Sequence, residues 1–350
     1  MIHIRTQKTY WVLYTGVTNL KKQTQNYGKA IRDGFAYLLE KYPEVFVIGQ
    51  GLWSPWYVGS SMSNLDVEFG INRIIDTPVS ESACTGVAVG ASLAGMKPII
   101  VHPRMDFLLY AMDAIVNEAA KWSSMMGGQA NAGVTIRSII NRGGEQGAQH
   151  SQALHSWFAH IPGLRVVMPY SVADARDLLI ASVLSGDPVI YIDDRWLYQN
   201  EDLLEEIKVL DLKTQGPKII RDGSDITLVS AGYSTQLNDD AAKILDSHGI
   251  NVEVIDLRIL NPFVPDLIVE SVIKTGRLVV TDGGWETAGF ASEVIASVTE
   301  RISPDRLKSR PRRITLPFAP APSSKILEKI YYPTVEDVVK ASLESMNELL

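Results

Sequence analysis

Residues 73–95, RIIDTPVSESACTGVAVGASLAG, decide how the rest of the chain is read. Ile74 and Ile75 close a short strand, Thr77-Pro78 breaks it, and Ser80 stands at an N-cap position before a helical run, 83–94, that is apolar nearly all round. Glu81 therefore lies where that helix begins. An acid in a first helical turn often does no more than complement the helix dipole, worth a few tenths to about 1 kcal/mol. Val79, Ala83, Val87, Val89 and Leu93, however, leave this helix little solvent face. The sequence thus predicts a buried Glu81 with a raised pKa, able to share a proton with a ring nitrogen. Gly86, Gly90 and Ala94 recur every four residues and form a side-chain-poor stripe that another backbone can approach closely. The apolar run stops at Lys97-Pro98, well short of the roughly 20 residues a membrane span requires. A tight helix contact inside a protein interface is the expectation.

At 350 residues the chain has room for two domains, each with its own core. Its 46% hydrophobic and 21% charged residues are ordinary for a globular α/β protein. A formal net charge of -7 argues against a nucleic-acid surface, and the densest basic run, Lys308 to Arg313, reads as a solvated loop. Cys84 is the sole cysteine, which rules out a disulfide within the chain. The N-terminus lacks a charged segment followed by a ten-residue apolar core, so a cytoplasmic location is expected, with no membrane partner.

Taken in order, residues 1–26 read as an N-terminal extension in which Tyr10 to Tyr14 forms a short strand, a docking patch or part of a flexible leader. From Tyr27 the spacing is helical, and Tyr42-Pro43 closes that element. Val45 to Gly49 and Pro98 to His102 are continuous apolar runs of the buried-strand type, and ligands of α/β sheets meet the loops beyond such strand ends. The loop 51–57 is unusually aromatic. A helix is expected over 106–120, a strand over 134–140, and a helix starting near His150. The glycines Gly143 and Gly144 lack the Gly-Lys-Ser/Thr or three-glycine pattern of a nucleotide loop. His150, His155 and His160 are five residues apart, which is not same-face metal spacing. The acidic stretch 201–216 reads as a linker between a first domain, 27–200, and a second, 217–350, where a β-α-β unit spans 226–256.

Four segments carry a resemblance: Asp76 to Glu81, Thr85 to Gly90, Gln149-His-Ser-Gln152 and Pro162 to Val167. In this order they closely resemble the β subunits of thiamine-diphosphate-dependent 2-oxo acid dehydrogenases of the pyruvate, branched-chain and acetoin types. The resemblance runs from about Tyr27 to the C-terminus. It implies an α/β fold of two doubly wound domains, a pyrimidine-binding domain followed by a transketolase C-terminal-type domain.

It also assigns roles. Glu81 becomes the acid beside the pyrimidine nitrogen that drives the imino tautomer from which the cofactor generates its own carbanion. Phe107, which by itself reads as core, becomes an aromatic against the aminopyrimidine ring. His150, otherwise a histidine satisfied by local backbone, becomes a group that stabilises charge or transfers a proton. Gln50 stands where relatives carry an acid that shapes the cavity. His102 and Arg104 replace apolar or acidic residues, and with Gln149 they are candidate substrate contacts; Arg104 meets an acidic substrate tail or pairs with Asp106. The loop before His150 is shorter than in pyruvate-type relatives, and Asp282 to Glu286 departs from an acidic pair near the subunit interface. Relatives hold a monovalent cation, K+, around positions matching Ser182, Ser185 and Asp187. Their magnesium-diphosphate motif, Gly-Asp-Gly with a later Asn, is not found. The resemblance therefore implies an α-type subunit bringing Mg2+ and the diphosphate grip, an α2β2 tetramer and a lipoyl acyltransferase. A split transketolase or an acyloin-forming subunit, and a catalytically silent scaffold, are the alternatives.

Overall fold

A computed structural model describes residues 23–348. The apolar segment 10–14 lies outside the described residues.

The first domain is built on buried, β-branched strands: β1 Gln23–Asn26, β2 Val45–Gly49, β3 Ile74–Asp76, β4 Lys97–His102, β5 Thr135–Ile140, β6 Arg165–Val167, β7 Val189–Asp194 and β8 Glu201–Leu204. Helices α1 Tyr27–Lys41, α2 Glu81–Leu93 and α3 Val172–Leu184 pack on them. The second domain contributes β9 Lys218–Arg221, β10 Ile226–Ser230, β11 Val252–Asp256, β12 Ile259–Asn261, β13 Leu278–Trp285 and β14 Arg312–Leu316. Its helices include α4 Tyr233–Ser247, α5 Phe290–Thr299 and α6 Lys325–Tyr331.

Two large sheets result, together with a two-stranded ribbon of β1 and β8. One has the order β12-β6-β7-β5-β4-β2-β3, parallel throughout except for β12; the other runs β14-β13-β10-β11-β9, with β9 antiparallel. Within the first sheet β2 is flanked by β3 on one side and β4 on the other, so the chain reverses its winding around β2. Such a switch point opens a crevice at the carboxyl ends of the strands. β12, from the second half of the sequence, extends the first sheet by pairing with β6. One apolar core, including Ile100, Leu108, Val229, Ile255, Val280 and Phe290, continues from one domain into the other.

Several sequence expectations change on folding. The acidic stretch expected as linker contains β8, which pairs with β1 at Gln23–Leu204 through Asn26–Glu201. Neither segment alternates in polarity, and their backbones are joined by a ladder that closes only in three dimensions. The helix expected over 106–120 is a tight 3-10 turn at Met105–Ala111 followed by a wide π turn at Ala114–Ala119. The helix expected at His150 begins instead at His155. α4 of the expected β-α-β unit starts at Tyr233, where Gly232 opens it with φ +55.

Candidate active site

The carboxyl ends of β2, β3 and β4 release three loops around one cavity of about 810 Å³. Asp76, at the end of β3, accepts from the backbone N–H of Gly51 at 2.6 Å and Leu52 at 3.3 Å, and so fixes the loop that carries Gln50. Gly51 has φ +68, and a Cβ there would fall 2.5 Å from the Tyr57 ring. Glycine lets Tyr57 close against the loop.

The cavity brings together Gln50, Glu81, His102, Arg104, Phe107 and His150, six residues singled out from sequence. Phe107 and His150 meet edge to face, with ring centroids 5.3 Å apart at 89°. His102 is buried, and its Nε2 lies 3.1 Å from Thr85 Oγ1 on α2. Burial pushes its pKa down to about 4, which keeps the ring neutral. Asp106 accepts from both the backbone N–H, at 3.1 Å, and the side-chain amide, at 2.9 Å, of Gln152. That pair ties the His150 segment to the turn bearing Phe107. Burial raises the Asp106 carboxyl above its ordinary range.

Glu81 does not enter the buried environment expected of it. It is half-buried, and Ser80 occupies the N-cap without a side-chain bond. α2 and the segment leading into it also have an open face: Val79, before the helix, is 69% exposed, Val87 is 59% exposed, and a Cβ on Gly86 or Gly90 would meet nothing within 4 Å. Of the apolar residues that suggested burial in the sequence, Val79, Ala83 and Val87 are uncovered in the single chain, whereas Val89 and Leu93 pack on the core. An open apolar face of this kind is the pattern of a surface that meets another molecule.

Gln149 is exposed and does not line the cavity, although its neighbour His150 does. Ser182, Ser185 and Asp187 lie away from the cavity lining. Their polar groups are used locally: Ser185 Oγ donates to the Ser182 carbonyl at 2.9 Å, and Asp187 accepts from Arg165 at 2.6 Å and Asn131 at 3.0 Å. Among the described residues, no three His, Cys, Asp or Glu side chains group to hold a metal. No described helix is long and apolar enough to cross a membrane.

Sequence reasoning passed over Trp56, Tyr57 and Tyr110, which line the cavity mouth. The aromatic loop was the signal for the first two, and Tyr110 lies one turn beyond Phe107. It also passed over supports from the second domain. Glu328 on α6 accepts from the Glu145 backbone N–H at 2.9 Å, and Asp282 lies 2.8 Å from His155 Nε2. Burial alone would raise the Asp282 carboxyl; His155 and the N–H groups of Gly284 and Ala291 together hold it below its ordinary value. The segment carrying His150 is thus held at both ends by the other domain. Asp282 has no spacing signal in the sequence that links it to residue 155.

Residues 23–200 match the family described as the transketolase pyrimidine-binding domain, and residues 217–338 match the transketolase C-terminal domain. A solved structure described as a split-gene transketolase, an inactive β4 tetramer, superposes with a TM-score of 0.71 at 23% identity over 93% of this chain and 98% of that one. That likeness speaks for the fold. The fold and site thus define a transketolase-type protein of the thiamine-diphosphate class. The pyruvate dehydrogenase E1 component subunit beta of Rickettsia bellii is 36% identical, covering 89% of this chain and 96% of that protein. The Saccharomyces cerevisiae mitochondrial counterpart is 34% identical, covering 93% and 90%. The chain belongs to this family of E1 beta subunits.

Thiamine diphosphate is the cofactor the family implies, and the residues fit its aminopyrimidine half. A carboxylate, an aromatic ring and apolar Val79 and Ile100 face one cavity. The cavity lining offers one guanidinium, Arg104, and no lysine for a diphosphate.

Proposed function

We propose that this chain is the β-type half of a thiamine-diphosphate-dependent enzyme that decarboxylates a 2-oxo acid and passes the acyl group to a lipoyl carrier. The observation that carries the reading is the convergence of Glu81, Phe107 and His150 on one cavity at the switch point of the first sheet. The cofactor supplies a nucleophilic carbon and an electron sink when bound. Glu81 holds a proton at the pyrimidine nitrogen, Phe107 bounds the ring and Gln50 shapes the wall. His150, oriented against Phe107, stabilises charge or moves a proton at the substrate.

An α-type subunit supplies the diphosphate and Mg2+ site, and two copies of each chain form the complex. The open face of α2 supports such a partner, because a stripe of Gly86, Gly90 and Ala94 flanked by exposed Val87 suits close helix packing. Partner contacts would also complete the burial of Glu81. In this reading a K+ ion sits near Ser182, Ser185 and Asp187, and the complex works in the cytoplasm with a lipoyl acyltransferase.

A second reading is a split transketolase-like or acyloin-forming subunit that passes its unit to an aldehyde. The neutral Gln50 in the cavity wall favours it. Product analysis with and without a lipoyl domain separates the two. The test of the shared mechanism is Glu81→Gln in the reconstituted complex. Turnover falls by a factor of about 100 or more while assembly, read by size exclusion, is retained. Near-normal turnover would sink the assignment.

A further inference from the structure

Arg104 follows the last residues of β4, with its backbone fixed on two sides. The Pro103 carbonyl accepts from Asn141 Nδ2 at 2.9 Å, and the Arg104 carbonyl accepts from the Phe107 N–H at 3.2 Å. Its side chain lines the cavity, half-buried. Asp106, one of the two partners the sequence offered for Arg104, accepts from Gln152 through Oδ1 instead. Among the described residues Arg104 has no ion pair, and none joins it to Glu81, the other charged group of the cavity wall.

The neighbouring guanidinium of Arg195 adds to the positive field. It is itself bound to the Tyr57 carbonyl and stacks 5.1 Å from the Tyr198 ring centroid. Burial, and then Arg195, lower the Arg104 pKa, and the nearby Asp106 and Tyr57 only partly oppose that shift. A lone guanidinium is a planar fork matched to one carboxylate or phosphate monoester, whereas a diphosphate calls for several donors at once.

Resting on the 2-oxo acid reading above, we propose that Arg104 forms a subsite for a second anionic group, so that the enzyme selects 2-oxo acids with a carboxylate or phosphate ester at the far end. Arg104 is then a specificity residue, and neutral-tailed acids such as pyruvate are poor substrates.

The test uses the complex with its α-type subunit, thiamine diphosphate and magnesium. Wild type is expected to turn over 2-oxoglutarate, or a 2-oxo acid with a terminal phosphate, with kcat/KM at least about 10-fold above that for 2-oxobutyrate. Arg104→Gln lowers that ratio about 10- to 100-fold, and Arg104→Lys recovers part of it. A second readout is independent of turnover: glutarate, but not butyrate, changes the fluorescence of Trp56 in the cavity wall of wild type, and the response is lost in Arg104→Gln.

Three results overturn the proposal: a wild-type preference for 2-oxobutyrate, an equal loss for both substrate kinds in the variant, or a fall in thiamine diphosphate affinity by calorimetry. The last would assign the guanidinium to the cofactor. Failure of the underlying reading looks different, because no 2-oxo acid would be turned over and thiamine diphosphate would not bind. The glutarate titration still decides the subsite in that case.

Discussion

The His102 ring, buried and bonded to Thr85, is neutral at physiological pH because ionising it without water is costly. The consequence for stability has a definite sign. Its pKa drops from 6.5 in the unfolded chain to about 4 in the fold, so between these values the unfolded chain binds more protons. Stability is therefore lost as the pH falls from about 6.5 towards 4, by up to roughly 1.4 kcal/mol per pH unit and on the order of 3 kcal/mol in total. Urea denaturation of wild type and His102→Gln at pH 7 and pH 4.5 checks this, with a shallower acid loss expected in the variant. An equal loss in both would remove His102 as its source. Arg104 makes the complementary point. The sequence left it either to an acidic substrate tail or to Asp106; Asp106 is engaged by Gln152, and the guanidinium lines the cavity.

At the scale of elements, the loops and turns carry the strictest requirements. Gly163, in the turn that leads into β6, has φ +96, and a Cβ there would lie 1.9 Å from the Ala120 carbonyl oxygen. Gly163→Ala is expected to cost about 3 kcal/mol or more, as backbone strain and overlap add. Gly186 has φ +73 with nothing near, and Gly186→Ala should cost only about 1 kcal/mol. Chemical denaturation of the two variants side by side tests the difference; equal losses would mean that the turn relaxes freely. The strands were readable as continuous apolar runs because both faces of a parallel sheet are covered. The 3-10 and π turns around Phe107 were not, since a helical spacing of apolar residues does not reveal that Asp106 binds a distant segment.

At the scale of the whole molecule, buried ion pairs join the halves. Arg258, in the second half, sits at φ +59 and holds Asp174 of α3 with bonds of 2.7 and 3.1 Å. Both are buried. Removing one partner leaves a charge without water or counter-ion, so Arg258→Met should lower stability by about 3–5 kcal/mol. The double variant Arg258→Met with Asp174→Leu should recover much of it, as read from urea midpoints. No recovery would mean that the pair's other bonds, such as Arg258 to the Gly216 carbonyl, dominate. The His155–Asp282 contact joins the same two domains beside the His150 segment, so the second domain takes part in shaping the site.

The sequence by itself pointed to the two-domain α/β fold, the parallel strands and six residues that line the cavity, Gln50, Glu81, His102, Arg104, Phe107 and His150. Strand identity follows from local apolar runs, and Glu81 and His150 sit in compact motifs that a short window contains. The tertiary structure alone decided what each of them faces. It left Glu81 half-buried, sent Gln149 outward, freed Arg104 from Asp106 and set Asp282 against His155. Burial and pairing are properties of neighbours far apart in the chain, so no local pattern of residues encodes them.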